Sequence, residues 1–231
     1  MLILIKLSEV GIKLNLNFSI LIEYFDMYWD GFLATLTISF IALIVSFIIG
    51  AIIAVMRITP IAPLRWIGTV YVEFFRNIPL LVIVFFFYIG TPALGLELSG
   101  FTAGTIGLSI YTSAFIAEAI RSGILAVPKG QMEAARSSGL NYIQTMRIII
   151  LPQAIKIVIP PIGNQFINLV KNSSILALIA GTELMYQADL ISAKTYVVFD
   201  VYIFVAMFYL VITIPLSLGV AYLEKRLANS H

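Results

Sequence analysis

The sequence predicts an all-α integral membrane protein with five transmembrane helices, the N-terminus outside and the C-terminus cytoplasmic. Three observations predict it. Hydrophobic residues make up 61% of the 231-residue chain and charged residues 11%, with a mean hydropathy of +1.03; soluble domains have about 45–50% and about 25%. The apolar residues form continuous runs instead of alternating, so the spans are helices, one of the two structures that satisfy the backbone in lipid. Lys and Arg favour every second connection, as cytoplasmic loops do. Such a chain cannot cover an apolar core with a polar shell, and disorder would need low hydrophobicity with high net charge. A net charge of +2 gives no argument for nucleic acid. With no Cys and one His, His231, the chain offers no disulfide, iron–sulfur or imidazole metal site, and no imidazole catalyst.

The elements follow in order. Residues 1–30 read as an external, interfacial N-terminal segment: the run at 1–5 is too short for a signal-peptide core and no small-residue cleavage site follows. Residues 18–29 mix large apolar side chains with Glu23 and Asp26. The first span is the uncharged run 31–56, 26 residues, or roughly 39 Å of helix. The second contains the uncharged run 77–96 and begins before it, because Trp66, Glu73 and Arg76 precede that run. The third is 98–117, extended by Glu118 and Arg121; Pro79 and Pro92 read as kinks. The fourth starts after Pro152 and runs to about residue 180, interrupted by Lys156, Pro160, Pro161 and Lys171. The fifth is 201–223. One transmembrane domain thus covers 31–227, with a short tail at 228–231. Arg57 and Arg65, then Lys129, Arg136 and Arg147, then Lys225 and Arg226 mark the cytoplasmic side, whereas the opposite connections carry only Lys194 among Glu183, Asp189 and Asp200.

The longest cytoplasmic connection, residues 126–152, differs from its surroundings. Residues 131–138 suit a short helix, with Pro128 ahead and Gly139 at the position after its C-cap. A second helical stretch runs from Asn141 toward Leu151, and Pro152 closes it. On spacing alone this is an amphipathic surface helix and a turn. Its residues carry more. Glu133, Ala134 and Ala135, then Gly139, then Ile149, Leu151 and Pro152 match throughout the EAA loop of ABC-importer permeases. The flanks resemble the polar amino acid permeases of that group, the histidine/glutamine/glutamate type: YVEFFRNIPLL at 71–81, YTSAFIAE at 111–118 with IRSGI at 120–124, GNQFIN at 163–168 and QAD at 187–189. The resemblance covers residues 31–227.

The resemblance implies a type I ABC-importer permease fold in a bacterial cytoplasmic membrane. It implies that two such subunits, identical or sister chains, form the pathway, that a cytoplasmic ATPase dimer drives it, and that an external amino-acid-binding protein delivers substrate. Glu133, Ala134, Ala135, Gly139, Leu151 and Pro152 are then the ATPase-coupling residues. The small alanines permit close approach of a helix to a groove, and Glu133 faces either an ATPase Arg or its own Arg136 at i+3. The chain is not itself an enzyme: it has no GxxxxGK[ST] pattern, so ATP and Mg belong to the partner.

Polar side chains at membrane depth face a cavity or another helix. The fourth span has five: Asn164, Gln165, Asn168, Lys171 and Asn172. At about 100° per residue they share an arc of roughly 120°, either a substrate-lining face or a helix–helix seam. Depth favours the lining face, since broken helices near the midplane are where transporters place their sites. Glu73 with Arg76, and Glu118 with Arg121, are i,i+3 couples that read as ion pairs or as gating groups; Lys156 reads as a snorkelling side chain.

No acid shares the face of Lys171, so an uncompensated cation attracts an anion there. Relatives often carry an acid where Asn172 stands and Glu where Gln165 stands, which would suit a cationic side chain; here both are amides. The expected substrates are polar amino acids, acidic first, glutamine second, and arginine, lysine or histidine last. Should Lys171 pair with Glu73 or Glu118, glutamine moves ahead. The rivals are an ion-coupled secondary transporter, which leaves the EAA spacing unexplained, and a non-transporting membrane scaffold, which leaves the polar face unexplained.

Overall fold

A computed structural model describes residues 16–228; the reading of residues 1–5 and the last three residues of the tail lie outside them. Among the described residues every regular element is helical. Four helices are long and apolar enough to cross a membrane: Phe25–Ile58, Gly100–Ala126, Tyr142–Ile179 and Phe199–Leu227. The helices Ala62–Asn77 and Leu80–Leu94 are apolar enough only as a pair, whose halves meet at 104°; the chain has five crossings if that bent pair is one span.

Helix α1 (Phe18–Glu23) is capped by Asn17, whose side chain accepts from the Ser19 N–H at 3.1 Å. Helix α2 (Phe25–Ile58) begins earlier than the uncharged run does. Asp26 and Asp30 sit in its first turns, where the helix dipole tolerates negative charge. Residues 25–30 thus belong to the first long helix, and 18–23 form a short helix ahead of it. Asn17 N–H donates to Asp200 Oδ2 at 3.2 Å, and the rings of Phe18 and Tyr28 meet Phe204.

Helix α3 (Ala62–Asn77) ends where Pro79 forces Ile78 to extended geometry (φ −98°, ψ 135°). Pro79 then caps α4 (Leu80–Phe85), which continues through a π-helical turn, Phe86–Gly90, and a 3-10 turn, Thr91–Leu94. At Pro79 the chain is broken rather than kinked. Helix α5 (Gly100–Ala126) is the hub, with half its side chains buried against its neighbours.

Pro152 does not close the loop helix. A π-helical turn, Met146–Ile150, lies just ahead of it, and such a bulge is one of the places where a helix absorbs a disruption of its hydrogen-bond ladder. Helix α7 (Tyr142–Thr145) runs through a π-helical turn, Met146–Ile150, into α8 (Leu151–Asn172), which continues through Pro160 and Pro161 to a 3-10 segment, Ser173–Ile179. Helices α9 (Leu184–Thr195) and α10 (Phe199–Ala228) complete the chain.

Lipid supplies no hydrophobic force between helices, so small residues let backbones approach. A Cβ on Gly50 would lie 2.8 Å from Ile116, one on Gly123 2.1 Å from Val158, and one on Gly104 2.3 Å from Leu176. The last two contacts fix an antiparallel register of α5 and α8. Counting eight residues back from Gly123 and eight on from Val158 puts Phe115 level with Phe166. Counting eleven from Gly104 and Leu176 puts it level with Gln165. The middle of α5 therefore lies at the depth of the α8 amides.

Candidate functional site

The connection between α5 and α8 forms a rigid corner. Helix α6 (Lys129–Ser137) ends in a Schellman motif: Leu140 N–H donates to Ala135 O at 3.2 Å and Gly139 N–H to Arg136 O at 3.1 Å. Gly139 has φ +85°, left-handed backbone that favours glycine. Two residues later a capping box starts α7: Gln144 N–H donates to Asn141 Oδ1, and Asn141 N–H to Gln144 Oε1, both at 2.9 Å. Ala135 is buried and anchors α6, while Glu133, Ala134, Gly139, Leu151 and Pro152 are exposed. Glu133 makes no ion pair with Arg136 or with any other described residue. A cleft of about 350 Å³, bounded by Ile58, Val127, Met132, Glu133 and Tyr142, lies under α6.

On α8 three of the five polar residues are exposed. Ala154, Val158, Leu169 and Val170 are buried, Asn164, Asn168 and Lys171 are exposed, and Gln165 and Asn172 are half-buried. Asn164, Asn168 and Lys171 are therefore not buried in a seam with another helix of the same chain. Lys171 ion-pairs with neither Glu73 nor Glu118. It borders a cleft of about 330 Å³ with Ser174, Met185, Tyr202 and Tyr209.

The charged couples divide. Glu118 and Arg121 pair at 2.6 Å, and Glu118 also pairs with Arg57 of α2, whose side chain is 8% exposed. Ser122 Oγ donates to the same carboxylate at 3.1 Å. Gly68 lets α3 lie on the Arg57 stem, where a Cβ would meet Cγ at 2.9 Å. One carboxylate thus ties two arginines and three helices at the end of the bundle that carries the loop. Glu73 and Arg76 do not pair with each other, and they sit in the last turn of α3, at the break, instead of near the start of the crossing. Asn77 Nδ2 donates to Glu73 O at 2.6 Å, and the Arg76 guanidinium lies 5.4 Å from the Phe115 ring centroid.

Sequence reasoning missed Glu183, which it counted among the acids of an outer connection. Glu183 is 0% exposed. Its carboxylate accepts from the N–H groups of Met185 (2.7 Å) and Tyr186 (2.8 Å) and from Tyr209 Oη (3.0 Å), while Leu184 N–H donates to Thr35 Oγ1 at 3.1 Å. This cap locks α9 to α2 and α10. Only the acid immediately ahead of a helical run hints at it. Glu183→Ala is expected to lower stability by about 2–4 kcal/mol, since it removes a cap (about 1) and orphans a tyrosine hydroxyl (about 1–3). Thermal unfolding of the purified protein in detergent would measure this, with Glu183→Gln, which keeps an acceptor for Tyr209, clearly milder.

Known proteins give the same picture. A family profile described as "Binding-protein-dependent transport system inner membrane component" matches residues 46–229. The chain is 69% identical to the probable glutamine ABC transporter permease protein GlnM of Bacillus subtilis, over 94% of this chain and 100% of that one. It is 41% identical to that organism's probable glutamine ABC transporter permease protein GlnP, over 88% and 95%. A crystal structure of an amino acid ABC transporter with histidines superposes with a TM-score of 0.87 at 38% identity, covering 92% of this chain and 100% of that one.

Proposed function

This chain belongs to the family of binding-protein-dependent transport system inner membrane components, and from that premise we propose that it is the membrane-spanning permease subunit of an ATP-driven importer of polar amino acids. The carrying observation is the face of α8: amides and a lysine at mid-span that their own chain leaves uncovered. Polar groups at that depth need water or a second protein surface. In this reading a second permease subunit covers the face and the pathway runs between the two.

The exposed side of α6 docks on a cytoplasmic ATPase dimer, which supplies ATP hydrolysis and Mg. Support comes from Glu133 and Ala134, which stay free while Ala135 anchors the helix. An external binding protein feeds the opposite end. The sidedness rests on Arg57, Arg65, Lys129, Arg136 and Arg147, which gather at the loop end.

For the substrate, charge favours acidic amino acids, because Lys171 has no ion-pair partner among the described residues. The names of the relatives favour glutamine. Both stand ahead of cationic amino acids. The test is uptake into vesicles holding the permease, its ATPase and its binding protein. Glutamate and glutamine should each suppress uptake of the other. Asn172→Asp should weaken glutamate uptake more than glutamine uptake, since it sets like charge against the side chain. Robust arginine uptake, undiminished by excess glutamate or glutamine, would overturn the substrate class.

A further inference from the structure

We propose that Arg76 receives the α-carboxylate of the transported amino acid, with the carbonyl end of α3 facing its ammonium. The inference rests on the reading of the α8 face as the pathway and extends it to a second element.

Depth comes first. The Arg76 guanidinium lies over Phe115, sixteen residues into the 27-residue helix α5. By the register set at Gly104 and Gly123, Phe115 is level with residues 165–166 of α8, between Asn164 and Asn168. Tyr71 Oη meets Ser113 Oγ at 2.7 Å and holds α3 at that height. Arg76 is thus a mid-span cation and shares its level with the amides.

Its surroundings come second. Arg76 is exposed and enters neither ion pair of the described residues; Glu118 is already held by Arg57 and Arg121. An unpaired guanidinium facing lipid at this depth is costly, so it faces water or a charged guest. The cation–π contact with Phe115 holds the guanidinium over the ring without using its N–H donors, which match a carboxylate in bidentate fashion.

The helix end comes third. Pro79 and the extended Ile78 stop α3 at Asn77, so its last carbonyls lack intrahelical donors and carry the negative end of the helix dipole. One of the carbonyls nearby, that of Glu73, takes the Asn77 amide. A cation and the carbonyl end of the helix that carries it match the two charges common to every α-amino acid. They leave the side chain to the α8 amides and Lys171, where substrates would be told apart.

The experiment measures binding of labelled glutamine and labelled glutamate to the detergent-purified permease–ATPase complex without its external binding protein. The competitor is the decarboxylated analogue of each, which keeps the side chain and the ammonium. Wild type should discriminate strongly against the analogues. Arg76→Gln should weaken binding of the intact amino acid by about tenfold or more and leave binding of the analogues unchanged. Arg76→Lys should fall between, since it keeps the charge and loses the fork. Asn168→Leu separates the two ideas. If it weakens binding and Arg76→Gln does not, Arg76 has no such role and the pathway reading stands. If neither changes binding, the pathway reading fails. Loss of subunit assembly in both Arg76 variants, by size-exclusion chromatography, would assign Arg76 to a contact between subunits and overturn the proposal.

Discussion

Gly139→Val should insert normally and lose most of its uptake, by about tenfold or more, while Gly139→Asn loses far less. No side chain or backbone crowds the position: a Cβ there would meet nothing within 4 Å. The penalty is in the backbone, because φ +85° is an outlier for a β-branched residue, costing about 1–3 kcal/mol, and asparagine adopts left-handed backbone more readily. Relief of that strain would open the Schellman turn and detach α6 from the capping box at Asn141, so motion at the ATPase would no longer reach α8. Gly139→Asp tests charge on the same backbone, since aspartate tolerates left-handed geometry. It should uncouple transport or release the ATPase. Uptake and ATPase co-purification measured together decide the matter; full uptake by Gly139→Val with the ATPase still bound would show that the corner transmits nothing.

Glu118→Ala should be the most destabilising single change in the bundle, at about 3–5 kcal/mol. It strands the buried Arg57, whose Nε already lacks a partner, beside Arg121 with no charge between them. Arg121 is 29% exposed and can turn outward; Arg57 at 8% cannot. Replacing both Arg57 and Glu118 should recover much of the loss, because desolvation of the pair disappears with the charges. Thermal unfolding of the complex carrying Glu118→Ala, Arg57→Met and Arg57→Met/Glu118→Met completes the cycle. A loss below about 1 kcal/mol in Glu118→Ala would mark the triad as an exposed surface pair.

The spans were legible because hydropathy is additive along a run, and lipid punishes every exception. The loop was legible because a glycine just past the C-cap and a proline just ahead of the helix are local signals. Breaks were not. Pro79 ends a helix while Pro152, Pro160 and Pro161 sit within one, a difference set by tertiary support that no dipeptide rule contains. Long-range pairing was also hidden. The i,i+3 rule found Arg121 for Glu118 but not Arg57, which is 61 residues away, and it paired Glu73 with Arg76, which the break separates from that use. Glu183 looked like a loop acid because its burial comes from α2 and α10, both remote in sequence.

The uncovered polar face of α8 bears on the life of a newly made chain. Each cation held at mid-bilayer costs about 2.5–3.5 kcal/mol on insertion scales, and Arg76 and Lys171 are both left outside the fold of the single chain. If a second subunit covers this face as proposed, an unassembled copy should be less stable in lipid than the assembled one. The amount of finished transporter should follow the scarcer subunit, and surplus copies should be short-lived.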